Sequence, residues 1–422
     1  MSEAEFSLRS IAVPAYGPAI LYSAATGGML PLVALAARDA GASVGVSAMI
    51  LTLYSVGSLA MSVPASLITA RFGERAALIG SGLVSAAGMS VTGLTTSLWA
   101  LCVGLFAAGL GVSVFQVARQ SFLTVVAPPH MRARALSTLG GMARVGSFTG
   151  PFLMAFLLSF TDLRGAFLAT AALAALAALL CLAVPSEEAL AARVVGARLA
   201  SGAPGSQRAT TPAAAPGPRT RVKDVLGQRK RSLGTIGLAM VLLSAVRQTK
   251  YSIVPLWAAH IGLDAQQAAI VVGLSSAADM LLFYPAGRLM DLRGRWIMGV
   301  GCLGGMGLSI AGMSLTSGPW TLITAAVAMG LSNGLGSGIA MTLAADLSPD
   351  PGRAQFLGLW RLVQESGSLA GPASFALVVD VVSLAAGLWW MALVAFGGVA
   401  LVVAYLPHRP GPVTPLEERR PA

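Results

Sequence analysis

Twelve apolar stretches run along the chain, each bounded by Gly, Pro or charged positions. In the first half they cover 13–37, 44–69, 76–94, 98–122, 134–159 and 164–184, and in the second 233–258, 266–287, 297–315, 319–345, 355–379 and 385–406. At a rise of about 1.5 Å per residue, each is long enough to cross a hydrocarbon core of roughly 30 Å as an α-helix. The short alternating segments of a transmembrane β-barrel are not seen. The pattern therefore predicts an all-α membrane protein. Between the sixth and seventh stretches lies an Ala-, Gly-, Pro- and Arg-rich segment, 186–231, with too little apolar surface to fold alone. It reads as a linker, disordered or partly helical.

The same pattern repeats internally. At an offset of 221 residues, Pro64 pairs with Pro285, Gly73 with Gly294, Trp99 with Trp320, Pro128 with Pro349, Arg132 with Arg353, and Gly150-Pro151 with Gly371-Pro372. A biased composition supplies chance Gly and Ala matches, but not Trp, Pro and Arg in constant register. The prediction is two pseudo-symmetric six-helix bundles, 1–185 and 232–407, joined by the linker and followed by a tail at 408–422. Parallel halves of this kind place a substrate site between them at mid-depth.

Composition sharpens this reading. Hydrophobic residues make up 55% of the 422 and charged ones 11%, a balance that a soluble domain cannot keep from aggregating. The net charge of +11 sits largely in the linker and the short loops, which points to membrane topology and not to nucleic acid. Arg71, Arg75, Arg132, Arg134, Arg288, Arg293, Arg295 and Arg353 fall on the linker's side, against Arg38 and Arg164 on the other. Basic residues are retained in the cytoplasm, so both termini and the linker are expected there, in a bacterial-type inner membrane. The opening MSEAEFSLRS lacks a basic n-region, and no cleaved signal peptide is expected. Trp99, Trp257, Trp320, Trp389 and Trp390 fall near outer helix ends, where amphipathic rings favour the interface. Cys102, Cys181 and Cys302 lie apart in apolar stretches, so neither a disulfide framework nor a metal site is expected, nor any cofactor.

One loop carries a more specific signal. GRLMDLRGRW at 287–296 resembles the signature of the major facilitator superfamily between the second and third helices of a half, with Gly287, Asp291, Gly294 and Arg295 in the matching places. The resemblance extends over nearly the whole chain outside the linker and tails, and implies the twelve-helix fold of that family. There this loop latches the cytoplasmic side shut. The first half keeps Arg71, Gly73 and Arg75 but has Ala70 where Asp is expected, so the resemblance implies a one-sided latch. Gly146, Gly150 and Pro151 match a pattern in the fifth helix of the family's drug and metabolite exporters, in which small residues allow close packing and proline bends the helix. Leu105 stands where the family's fourth-helix arginine is expected.

Charges inside the stretches complete the candidate site, because each costs about 2.5–3.5 kcal/mol at a helix centre facing lipid. Arg144, Arg247, Lys250, Asp279, Arg361 and Glu365 are therefore expected to face a wet cavity. Arg119, nearer a helix end, is expected to snorkel to headgroups. Two readings stay open. In one the carboxylates only neutralise neighbouring cations, Glu365 with Arg361 or Arg144 and Asp279 with Arg247 or Lys250. In the other the cations attract an anionic group, or the carboxylates exchange protons. Four positive against two negative residues leave a surplus of two, which favours an anionic substrate. Asp279, with no basic residue on its own helix face, is the first choice as proton carrier. Ser332, Asn333 and Ser337 offer neutral hydrogen bonds, with Phe148, Tyr251, Phe283 and Trp360 as apolar walls.

The expected function is secondary transport of a small organic molecule, proton-coupled and outward, by a monomer. The alternative is an exchanger or uptake carrier of organic anions in which Arg247 and Arg144 clamp a carboxylate or phosphate ester. A non-transporting receptor or scaffold predicts an added domain or lost cavity charges, and an enzyme predicts a nucleophile, metal or nucleotide motif; none is present in the sequence.

Overall fold

A computed structural model of the chain describes residues 12–95, 97–126, 132–183, 222–349, 352–408 and 413–418. The helices are α1 (Ala12–Asp39), α2 (Val44–Ile50), α3 (Thr52–Met61), α4 (Pro64–Leu94), α5 (Leu98–Val126), α6 (Arg132–Leu158), α7 (Leu163–Leu180), α8 (Val222–Ser232), α9 (Leu238–His260), α10 (Ala265–Arg293), α11 (Arg295–Met313), α12 (Pro319–Leu335), α13 (Ile339–Leu347), α14 (Arg353–Val381) and α15 (Leu384–Tyr405). No strand occurs among the described residues. Leu51, Ser62 and Val63 keep right-handed helical dihedrals, so α2, α3 and the start of α4 form one crossing. Among the described residues, eleven helical segments are long and apolar enough to span a bilayer. The charge-bearing α14 takes the twelfth place, giving the all-α, twelve-crossing architecture that the hydropathy pattern predicts. The linker up to residue 221 lies outside the described residues, and its last part is α8.

The sequence repeat is also a repeat of contacts. Gly150 packs on the Ala24 carbonyl and Gly371 on that of Ala245; Gly109 packs on Tyr54 and Gly330 on Ser275. Each pair of contacts is related by the offset of 221, and none leaves room for a Cβ. Gly73 (φ 78°) and Gly294 (φ 91°) turn the chain between the second and third crossings of each half, in a region that side chains other than glycine rarely adopt. The buried apolar side chains form two clusters. One runs from Tyr16 to Cys181 and takes in Ala269; the other runs from Val225 to Leu416 and takes in Ala34, Leu35 and Ala48. Trp99 and Trp320 are exposed, as interface rings are, whereas Trp257 is buried and donates Nε1–H to Thr316 Oγ1 at 2.8 Å. The interface expectation fails for Trp257 because its one polar atom finds a partner inside the second half.

The two ends of the bundle differ. At one end Ser43, Asp162, Asp264 and Ser383 cap the starts of α2, α7, α10 and α15, each accepting a backbone N–H. The halves are joined here: Ser43 Oγ donates to Asp380 Oδ1 at 2.9 Å, and the Phe152 ring lies against Gly273. At the other end Arg71, Phe72, Asp291 and Arg293 are exposed.

A strap of residues 413–418 closes that second end of the C-terminal half. Val413 N–H donates to Asp346 Oδ2 at 3.1 Å, and Asp346 also holds Arg295 at 2.8 Å. Leu416 N–H donates to Ser232 Oγ, Ser232 donates N–H and Oγ–H to the Glu417 carboxylate, and Glu418 pairs with Arg229 at 2.6 Å. Partial burial pushes the Glu417 carboxyl up, but the hydrogen bonds from Ser232, together with those from the Glu417 and Arg231 backbone, outweigh it and hold the group below its ordinary value of 4.5. A depressed carboxylate stabilises the fold above its ordinary value, and that stabilisation is lost as pH falls through the lower folded value. Glu417→Ala is thus expected to lower stability at neutral pH by about 1 kcal/mol, below the roughly 1.5–3 kcal/mol of a hydrogen bond to an enclosed charge because the group stays largely solvated. In thermal melts the difference from the parent protein should shrink below pH 4.5; a pH-independent difference would assign the loss to packing.

Candidate functional site

Four of the six in-span charges meet in one cleft. A cavity of about 340 Å³ at mid-bundle is lined by Arg144 and Ser147 of α6, Arg247, Gln248, Lys250 and Tyr251 of α9, Asp279 of α10 and Asn333 of α12. Arg144 reaches it because Gly146 and Gly150 dock α6 onto α1. At about 100° per residue, a side chain two positions before Gly146 points the opposite way, toward α10. There Arg144 Nη1 lies 3.1 Å from Asp279 Oδ2, with the side chains 30% and 15% exposed. The Phe283 ring lies 4.4 Å below the guanidinium carbon. This ion pair crosses from one half to the other.

Arg247 is positioned by a break in the tenth crossing. The helix ends at Leu335, Gly338 is left-handed at φ 82°, and the Asn333 carbonyl near the break accepts from Arg247 Nη2 at 3.2 Å. Gly336 leaves no room for a Cβ beside Arg247 and Cys302, whose Sγ lies 3.8 Å from Nη2. Broken crossings that turn backbone carbonyls into a cavity are a recurrent way of building transporter sites. Lys250 is 7% exposed, with its ammonium 5.0 Å from the Tyr251 ring centroid and no hydrogen-bond acceptor or ion-pair partner among the described residues.

The remaining candidates lie elsewhere. Arg361 and Glu365 sit half-buried on α14, outside this cleft, with Glu365 in electrostatic reach of Arg361 and of Tyr54 in the other half. Glu365 forms no hydrogen bond or salt bridge among the described residues. Ser332 turns to the Ala328 carbonyl and packs on Gly305, and Ser337 is buried with its Oγ unpartnered. In the loops, Asp291 and Arg71 are exposed, Gly287 is partly buried, Arg75 donates to the Leu182 carbonyl at 2.6 Å, and Arg295 pairs with Asp346. Pro151 lies within α6 just beyond its Gly150 contact. Arg119 is half-buried near Tyr22, which stacks on Phe115, and its Nε is enclosed without a partner. The headgroup expectation for Arg119 fails because this side chain is turned into the first half.

The sequence pattern alone does not single out Gln248, Ser147 or Asp346. Gln248 sits beside Arg247 on the one polar run of α9, and that run was the available signal. Asp346 gave none, since its partner Arg295 is 51 positions away.

Comparison with known proteins agrees with this architecture. No curated protein is matched. Among solved structures, the chain superimposes on a D-xylose–proton symporter with a TM-score of 0.71 at 15% identity, covering 95% of this chain and 98% of that one. A nucleoside transporter, NupG, gives 0.71 at 12% identity, with 93% and 98% covered. A POT-family transporter in complex with 5-aminolevulinic acid gives 0.74 at 14% identity, with 94% and 96% covered. At such identities these establish the fold alone. The sequence model of the Major Facilitator Superfamily matches residues 19–246 and 236–422. With twelve crossings, an internal repeat and a charged cleft between its halves, this multi-pass membrane transporter belongs to the major facilitator superfamily.

Proposed function

We propose that the chain is a proton-coupled secondary carrier that exports a small organic molecule by rocking its two six-helix bundles, 1–185 and 232–407, about the central cleft. The observation that carries this reading is the Arg144–Asp279 pair, a charge contact that spans the two halves at the wall of the cleft. A bond between bodies that move relative to each other must be remade or broken in each cycle, which links solute and proton occupancy to conformation. Glu365, half-buried and unpaired among the described residues, is a candidate for the coupling proton. The outward direction is supported by Gly146, Gly150 and Pro151 in the fifth crossing. The excess of Lys and Arg at the α8 end supports a cytoplasmic linker and cytoplasmic termini.

Solute flux in inverted membrane vesicles under an imposed pH gradient tests the proposal. Inward-acid vesicles containing the protein should accumulate solute, and a protonophore should collapse the accumulation. Flux indifferent to the gradient would remove proton coupling, and accumulation only in right-side-out vesicles would reverse the direction.

A further inference from the structure

We propose that the carried solute is a small organic anion that also bears a hydrogen-bond donor, its anionic group held by Lys250 and Arg247 and its donor by the free Oδ1 of Asp279. This rests on the preceding reading of the cleft as the transport site.

The charge distribution of the cleft is uneven. Arg144 is neutralised by Asp279, and Glu365 lies near Arg361 outside the cleft. The surplus of two positive charges therefore falls on α9, on Arg247 and Lys250, one helical turn apart and lining the same wall. Lys250 is more than nine-tenths buried and has no anionic or neutral acceptor among the described residues. Arg247 spends one Nη on the Asn333 carbonyl, while its Nε is enclosed and unpartnered. An ammonium and part of a guanidinium fork converging on one space are the donor set for a carboxylate, with the planar fork fixing orientation and the lysine supplying a point charge.

Asp279 restricts the solute further. Its Oδ2 is taken by Arg144, but its Oδ1 is buried without a partner. A negative oxygen on the same cleft disfavours a doubly charged ligand and accepts a hydrogen bond from a hydroxyl, amide or amine. A cavity of about 340 Å³, with Tyr251 on its wall, admits a compact molecule. The chemical class is thus a hydroxy-, amido- or amino-substituted monocarboxylate.

The test uses the full chain in phosphatidylcholine nanodiscs, which carry no headgroup carboxylate. Binding is measured calorimetrically for lactate, gamma-hydroxybutyrate, para-hydroxybenzoate and N-acetylglycine, each beside its neutral amide and the same carboxylate without the donor. At least one of the four should bind about tenfold more tightly than its amide, as a charge-assisted hydrogen bond warrants, and more tightly than the donor-free acid. Lys250→Gln should erase the preference over the amide, and Lys250→Arg should restore it, which separates lost charge from lost fold. If no acid outbinds its own amide, the anion inference is overturned. A neutral or cationic solute driven by the pH gradient in vesicles would then leave the carrier reading standing. If acids bind but neither Lys250→Gln nor Arg247→Gln changes any affinity, binding is elsewhere and the reading of the cleft fails with the inference.

Discussion

Asp279→Asn is expected to cost the protein more than the double variant Arg144→Gln/Asp279→Asn. The single substitution leaves the Arg144 guanidinium in a cleft wall, over the Phe283 ring, with no carboxylate to meet it. An enclosed charge stripped of its partner costs about 3–5 kcal/mol, and the lower end applies here because Arg144 keeps 30% of its surface in contact with solvent. Replacing both members removes the desolvation penalty together with the attraction, so folding should recover most of the loss. Thermal midpoints of the two single variants, the double variant and the exchanged pair Arg144→Asp/Asp279→Arg measure this. Transport should behave differently from stability: the double variant folds but lacks the contact that joins the halves, and its flux should stay low. A double variant that transports at the parent rate would make the pair a strut without a part in the cycle.

Glu365→Gln is expected to abolish accumulation driven by a pH gradient while leaving solute exchange at equal pH intact. Exchange needs the loaded site to reorient, whereas accumulation needs a group that takes a proton on one side and releases it on the other. Of the two in-span carboxylates, Asp279 is held by an arginine at 3.1 Å, and Glu365 has no ion pair among the described residues. Glutamine preserves the shape and hydrogen-bonding reach of the side chain, so a selective loss of driven flux would isolate the protonation step. Parent-like accumulation by Glu365→Gln would transfer the coupling role back to Asp279 or remove protons from the cycle.

These two expectations reverse the order in which the carboxylates rank from the sequence. Asp279 ranks first there because no cation shares its helix face, and a helix face is all that spacing along one element can reveal. Its partner comes from α6, 135 positions away and in the other half. The twelve crossings, by contrast, follow from local hydropathy, and the 221-residue register reappears in equivalent contacts of the two halves, Gly150 on Ala24 and Gly371 on Ala245, because a repeated sequence repeats its packing. Arg247, Lys250 and Asn333 are legible as site residues since a charge or amide in an apolar stretch demands a wet or polar setting. The break after Leu335 is less so: the run Asn333-Gly334-Leu335-Gly336-Ser337-Gly338 carries the signal, but glycine is too common in this chain for it to stand out. Polarity alone groups Ser332 and Ser337 with Asn333. Of the three, only Asn333 lines the cleft.

The strap at 413–418 gives the chain's order of synthesis a structural meaning. Ser232, where the chain enters the seventh crossing, obtains its carboxylate partner from Glu417, 185 residues later. Val413 likewise reaches back to Asp346 and, through it, to Arg295 of the signature loop. During translation the second half can insert all six crossings and still present an unfinished end until residues 413–418 leave the ribosome. A reporter or affinity tag fused close behind Glu418 therefore sits on a folding joint, and its linker length should govern yield more strongly than a tag placed before Ala12.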